Sequence, residues 1–215
     1  MQLQVTIANL SRYQRGIVCD TELIFPTTTE KVQQALREIW VDGFICSEII
    51  LLASQSDTPR IPIRTGQYDS LDELNYLVSR INELAPEELE MFVAAAQHGE
   101  YTFSLQDFIN LTYNLDCYEL YPDISDYEDY GHMLVEAGVG FELPEAAKLY
   151  FDYEAYGEAT AINEGGVFTK QGYIFNNRSA FKRVYDGEHI PPEYKVFHYP
   201  PRQVSHGKSN PTHEK

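Results

Sequence analysis

Ser70-Leu71-Asp72-Glu73-Leu74-Asn75-Tyr76-Leu77-Val78-Ser79-Arg80-Ile81-Asn82-Glu83-Leu84 is the stretch on which the fold class turns. Leu71, Leu74, Leu77, Val78, Ile81 and Leu84 recur at helical spacing and share one face. Ser70 and Glu73 form a capping-box pair, the hydroxyl meeting the Glu73 amide while the carboxylate reaches back. A helix is predicted to start directly after Ser70, and the chain on either side of it is patterned differently.

Upstream the period is two. Leu3, Val5 and Ile7 mark a strand over Leu3 to Ala8, Arg15-Gly16 a turn, and Ile17 to Phe25 a second strand closed by Pro26. Thr29 is expected to cap a helix running to about Trp40, with Val32, Ala35, Leu36, Ile39 and Trp40 on its buried face. Glu48 to Ala53 reads as a third strand and Ile61 to Arg64 as a short fourth. Residues 1–66 are therefore expected to form an α+β unit.

Downstream, Ala85-Pro86-Glu87-Glu88 opens a helix with proline at its first position and acids against the positive end of its dipole. Gly99 ends it, and Ser104 starts another that uses Phe108, Ile109 and Leu111. Residues 67–114 read as a small helical unit. From Leu115 the pattern mixes again: a strand over Cys117 to Tyr121, then a capping box at Ser125-Asp126-Tyr127-Glu128 leading a helix to about Ala137. A further helix runs from Pro144 to about Tyr150, and a hairpin turns at Lys170-Gln171-Gly172 between Val167-Phe168-Thr169 and Tyr173-Ile174-Phe175. This gives a C-terminal α+β unit over 115–198, with a flexible tail over 199–215. The expected fold class is α+β, three small domains in series.

Of 215 residues, 33 are acidic and 16 basic, a net charge of -17, and 43% are hydrophobic, enough to bury a core. The acid is segregated. Residues 1–66 hold 7 acids and 6 bases, residues 67–165 hold 22 acids against Arg80 and Lys148, and residues 166–215 hold 4 acids and 8 bases. Adaptation to high salt would spread acid over every surface, which the basic last fifty residues contradict. A disordered acidic tail is excluded by the Leu, Tyr and Phe at helical spacing within the acidic stretch. Duplex DNA carries one charge per about 1.7 Å, so twenty net negative charges equal the phosphate of roughly ten base pairs, and a symmetric dimer would offer about two helical turns. A folded body of that charge density attracts a cationic DNA cleft.

No motif for catalysis is present: there is no GxxxxGK[ST] loop, no GxSxG elbow and no HExxH. Gly138-Val139-Gly140 lacks a third glycine and a preceding strand. Counted from Asp126, a calcium loop would place Tyr130 and Ala137 where ligands belong, so that site is rejected. His98, His132, His189, His198, His206 and His213 are scattered and are given structural or solvent roles. Cys19, Cys46 and Cys117 form no CxxC pair and fit a reducing compartment. The first ten residues read as a strand rather than a signal peptide, and Phe44 to Ala53 is too short and too polar to span a bilayer. The expectation is a soluble, cytoplasmic, non-enzymatic protein with no cofactor and no metal. Tyr118, Tyr121, Tyr127, Tyr130, Tyr150, Tyr153 and Tyr156 thread the acidic region, read first as packing with wet hydroxyls and second as interface anchors.

Val5-Thr6-Ile7-Ala8-Asn9-Leu10-Ser11-Arg12-Tyr13, followed by Gly16, and Tyr150-Phe151-Asp152-Tyr153-Glu154-Ala155-Tyr156-Gly157 ahead of a Gly-rich hairpin together resemble the ArdA antirestriction proteins. Tyr68-Asp69-Ser70-Leu71-Asp72-Glu73-Leu74-Asn75 and Tyr127-Glu128-Asp129-Tyr130-Gly131 lie at the matching spacing, and the likeness spans roughly residues 3–175. The resemblance implies an elongated homodimer encoded on a mobile element and built of three small domains. Such a protein mimics bent DNA and occupies the DNA cleft of type I restriction-modification enzymes, on their methyltransferase core. The chain departs from the family at Leu51-Leu52-Ala53-Ser54-Gln55-Ser56, where an acidic stretch is usual, at Glu158-Ala159, where an Arg-Asp pair is usual, and in its extension beyond Phe175.

The expected partner-binding surface is Asp69, Asp72, Glu73, Glu87, Glu88, Glu90, Glu100, Asp107, Asp116, Glu119, Asp123, Asp126, Glu128, Asp129, Glu136, Glu142, Glu145, Asp152, Glu154 and Glu158. The partner is a protein, not nucleic acid or a membrane. The alternative victim is another nucleic-acid-binding defence complex, such as a CRISPR effector.

Overall fold

Alternating burial along Leu3–Asn9 makes this strand, β1, the centre of a three-stranded antiparallel sheet. The computed structural model describes residues 1–58, 60–140 and 142–201. β1 pairs with β2 (Asp20–Phe25) on one side and β3 (Ile49–Ser56) on the other, with Val5 opposite Leu23 and Ser54. Leu3, Val5 and Ile7 thereby face a common core with Val32, Ala35 and Leu36 of a helix over Thr29–Glu38. That helix is α2, following a single turn, α1, at Leu10–Tyr13.

Several local expectations for this part are corrected. β2 starts at Asp20 rather than Ile17, and Ile17 and Val18 stand exposed. The cap of α2 is Thr28, whose hydroxyl accepts from the Lys31 amide, and not Thr29. Trp40 lies outside the helix and is 66% exposed. The Trp40 amide bonds the Arg37 carbonyl and the Val41 amide the Leu36 carbonyl, a Schellman closure that puts Trp40 at φ 60° in the position usually held by glycine. The Asn9 amide group donates to the Ile39 and Trp40 carbonyls and steadies this end, while the Arg12 guanidinium lies over the indole. Ile61 to Arg64 forms no strand: Ile61 is buried, but Pro62 has no N–H to give a ladder.

Three helices follow, α3 (Leu71–Glu83), α4 (Pro86–His98) and α5 (Leu105–Leu111). Ser70 accepts from the Glu73 amide as expected, but the Glu73 carboxylate turns to the Tyr185 hydroxyl, so the box is half made. Glu88 does reach back to the Ala85 amide, at 2.8 Å, and Gly99 ends α4 at φ 94°. The buried faces of these helices belong to the same apolar cluster as the first sheet.

A second antiparallel sheet, in the order β4-β6-β5, is made by β4 (Tyr118–Tyr121), β5 (Val167–Thr169) and β6 (Gly172–Asn176). Between β4 and β5 lie α6 (Tyr127–Glu136), the single turn α7 (Glu145–Lys148) and α8 (Tyr153–Glu164). The α6 cap is Asp126, one residue later than the sequence reading placed it, with Ser125 bonded to Asp129. The helix after Pro144 is one turn and does not reach Tyr150. α8 was not anticipated as a helix. Tyr130, Leu134, Ala161 and Tyr173 make a separate, small core here, with Tyr121, Ile124, Tyr127, Met133, Tyr156, Phe168 and Phe175 around it.

With eight helices among the described residues and two small antiparallel sheets, the class is α+β. From Asn177 to Pro201 the chain forms no strand; it bends at Gly187–Glu188 and makes a 3-10 turn at Pro192–Tyr194. Within the stretch expected to be a tail, the Tyr199 hydroxyl donates to the Ser47 carbonyl at 2.8 Å. The rest of that expected tail, 202–215, lies outside the described residues.

Candidate functional site

The twenty anticipated carboxylates divide into two groups along the chain. Eleven lie between Glu119 and Glu158, and all eleven are exposed. Nine lie between Asp69 and Asp116, and four of these, Asp69, Asp72, Glu73 and Asp107, are half-buried. The only base between residues 118 and 165 is Lys148, paired with Glu145 at 2.6 Å.

Local structure explains the outward display of the later group. Asp126 and Asp152 sit at helix caps, accepting from the Asp129 and Ala155 amides at 2.9 and 3.0 Å. Glu128, Asp129 and Glu154 occupy first turns, where the dipole favours acid. Glu154 and Glu158 are four apart on α8, and Glu128 and Glu136 are eight apart on α6, so each helix carries its pair along one exposed face. Glu128, Glu136, Glu142, Glu154 and Glu158 make no hydrogen bond or ion pair with the described residues.

α6 and α8 cross at backbone contact. A Cβ on Gly131 would lie 1.9 Å from the Tyr153 carbonyl oxygen, and one on Gly157 would lie 2.0 Å from that of Tyr127. Only glycine fits at either position, and the two acid-bearing helices are held as one rigid pair. Beneath them, Tyr130 and Tyr173 both donate to one oxygen of Glu164. Burial foremost, and the Glu164 carboxylate second, push both phenols well above their ordinary range. Glu164 is thus an acid that serves the core. Of the tyrosine cluster, Tyr118 and Tyr130 are buried and Tyr150 is almost fully exposed, while the Tyr153 ring stacks on His132 at 3.7 Å.

Four of the nine earlier acids, Asp72, Glu73, Glu90 and Glu100, are engaged in tertiary bonds. Asp69 accepts from the Gly66 amide at 2.7 Å, and one oxygen of Asp72 accepts from the Val196 and Phe197 amides, each at 2.7 Å. Glu73 accepts from the Tyr185 hydroxyl at 2.9 Å, Glu90 pairs with Arg60 at 3.4 Å, and Glu100 bonds Asn176. Burial pushes the Glu73 carboxyl up, the Tyr185 bond opposes this, and nearby Asp69 adds to it. Glu87, Glu88 and Asp116 are exposed, so this region is a mixture.

Among the described residues there is no group of three or more His, Cys, Asp or Glu arranged to hold a metal ion, and no helix long and apolar enough to cross a membrane. Cys19, Cys46 and Cys117 are free thiols.

Two small antiparallel sheets, helices that expose rows of carboxylate and a base-poor stretch from 118 to 165 define an α+β protein rich in acid. The sequence model of a family described as Antirestriction protein (ArdA) matches residues 5–175. The chain belongs to that family, whose members are inhibitors rather than enzymes, and membership gives it an antirestriction function directed at restriction-modification enzymes. A comparison with curated proteins finds no match. Residues 176–215 fall outside the matched residues.

Proposed function

We propose that the protein inhibits type I restriction-modification enzymes by DNA mimicry, occupying the DNA cleft of the methyltransferase core in the bacterial cytoplasm. The observation that carries this reading is the uniform exposure of the eleven carboxylates from Glu119 to Glu158 on a body whose helices are locked at Gly131 and Gly157. At one charge per about 1.7 Å of duplex, eleven carboxylates match the phosphate of roughly five to six base pairs, and a homodimer about one helical turn. The homodimer and the division into units over 1–66, 67–114 and 115–198 follow from the family resemblance and the sequence pattern. A rigid carboxylate field has an advantage over a flexible acidic tail, because no ordering entropy opposes binding.

Binding of this kind releases condensed counterions and weakens steeply with salt. The protein should displace labelled duplex from a type I methyltransferase core at about 50 mM salt, and do so at least tenfold less well at about 200 mM. Displacement that is absent at both concentrations, or indifferent to salt, contradicts the reading.

A further inference from the structure

The segment from Asn177 to Tyr199 is bound by the rest of the chain as a peptide is bound by a receptor. Buried amide side chains on α3, on α5 and just past the end of α5 read its backbone. Asn114 accepts from the Lys182 amide at 2.7 Å and donates to the Lys182 carbonyl at 2.8 Å. Asn110, in the last turn of α5, accepts from the Tyr185 amide at 2.8 Å and donates to its carbonyl at 2.9 Å. Asn75 donates to the Tyr194 carbonyl at 3.0 Å, and Asp72 receives the Val196 and Phe197 amides. Asn75, Asn110 and Asn114 are each under 5% exposed, and without the segment the Asn110 and Asn114 oxygens would be buried acceptors with no donor. Their NH2 groups would keep the Gln106 and Asn110 carbonyls, and Asn75 the Thr27 amide.

Aromatic seats complete the groove. Tyr76 stacks on Tyr194 at 4.4 Å and meets Tyr185 edge-on at 5.5 Å, while Tyr101 stacks on Phe181 at 3.8 Å. The cations of the segment take no part: Arg178, Lys182, Arg183 and Lys195 are exposed and enter no ion pair with the described residues. Seating therefore rests on hydrogen bonds and apolar contact, and salt should leave it alone.

The path of the segment gives this seating a mechanical consequence. It leaves β6, the central strand of the second sheet, with the Asn177 amide on the Cys117 carbonyl. It then crosses α5 and α3 and ends with the Tyr199 ring against Gly43 and its hydroxyl on Ser47. The α6–α8 body has its own small core and meets the larger core through this sheet and α4. We propose that residues 177–199 are a splint that fixes the angle at which the α6–α8 body is carried, with Asn110 and Asn114 as its clasp. These asparagines are then positioning residues for inhibition, although neither belongs to the acidic surface. The role in inhibition rests on the DNA-mimic reading; the clasp itself does not.

The test uses the full chain with Cys19 and Cys46 replaced by serine and spin labels on cysteines replacing Tyr68 and Tyr150, exposed positions in the larger core region and the acidic body. In the parent, the inter-label distance distribution is narrow, and the amides of Lys182, Tyr185, Val196 and Phe197 resist hydrogen exchange at low and high salt alike. In Asn110→Ala/Asn114→Ala, exchange at Lys182 and Tyr185 should rise about tenfold or more while the β1 amides stay protected, and the distribution should broaden. Displacement of DNA should weaken several-fold with every carboxylate retained. Tyr194→Ala, which removes the stack on Tyr76 without touching a buried amide, serves if the double variant fails to fold, and should loosen Val196 and Phe197. Free exchange of the segment with an unchanged narrow distribution overturns the splint, and retained protection overturns the clasp. A parent that displaces no DNA overturns only the mimicry on which the inhibitory role depends.

Discussion

Two acidic regions of similar sequence end up in different chemical situations. Along α3, Asp72 and Glu73 follow a serine cap, and along α6, Glu128 and Asp129 follow an aspartate cap. The α3 acids are half-buried and hold the 177–199 segment, whereas the α6 acids are exposed. What separates them is not charge or helical position but what lies on top: the irregular segment 177–199 covers α3, and among the described residues none covers the Glu128–Glu136 face of α6. Formal charge locates the acid in the sequence, but only packing decides which carboxylates remain for a partner. The α6–α8 body therefore carries the candidate surface most cleanly.

The comparison breaks most severely at the helix crossing. Glycine to alanine in an exposed helix gains about 1 kcal/mol, but Gly131→Ala or Gly157→Ala drives a methyl into backbone and should cost about 3 kcal/mol or more. Urea unfolding should register that loss, with the exchange protection of α6 and α8 falling before that of β1. Next in size is Asp72→Ala, which strips the acceptor from two backbone amides and should cost about 2 kcal/mol. An acid used by the fold thus betrays itself in stability. Asp126→Ala removes only a helix cap on the displayed side and should cost about 1 kcal/mol.

The smallest effect is a pH signature at Glu73. Its folded pKa lies above the unfolded value because burial outweighs the Tyr185 bond. The stability it contributes is full below the unfolded pKa and is lost as pH rises through the folded pKa. Glu73→Gln keeps an acceptor for Tyr185 and removes the charge. Thermal unfolding should show the variant no less stable than the parent at neutral pH, with the difference vanishing below about pH 4.

Much of this was legible in the sequence, for reasons that vary by element. β1, α3, α4 and the β5–β6 hairpin announce themselves through large apolar residues at period two or at helical spacing, and through caps that act locally. α8 was hidden because its buried face is Gly157 and Ala161: a helix that packs by close approach shows small residues where a stripe of leucine is sought. Asn110-x-x-x-Asn114 was the available sign of the groove, since two buried amides at the end of a helix must find partners. Their partners lie 68 and 75 residues away, beyond the reach of any local pattern. The segregation of acid was plain in the sequence, whereas the engagement of Asp72 and Glu73 depended on that same distant segment. Trp40 misled because a helix-ending position normally marked by glycine holds a large apolar ring.

The most direct test of the central claim sets the two acidic regions against each other in one assay. One variant carries Glu128→Lys, Glu136→Lys, Glu154→Lys and Glu158→Lys; the other carries Asp69→Asn, Asp72→Asn and Glu73→Gln, and both are checked for a cooperative unfolding transition. Each is titrated against a type I methyltransferase core bound to labelled duplex. The account predicts that the first loses displacement by about a hundredfold or more, as expected when attraction becomes repulsion, while the second stays within about tenfold of the parent. Equal losses in the two variants, or a first variant that still displaces DNA like the parent, would contradict it.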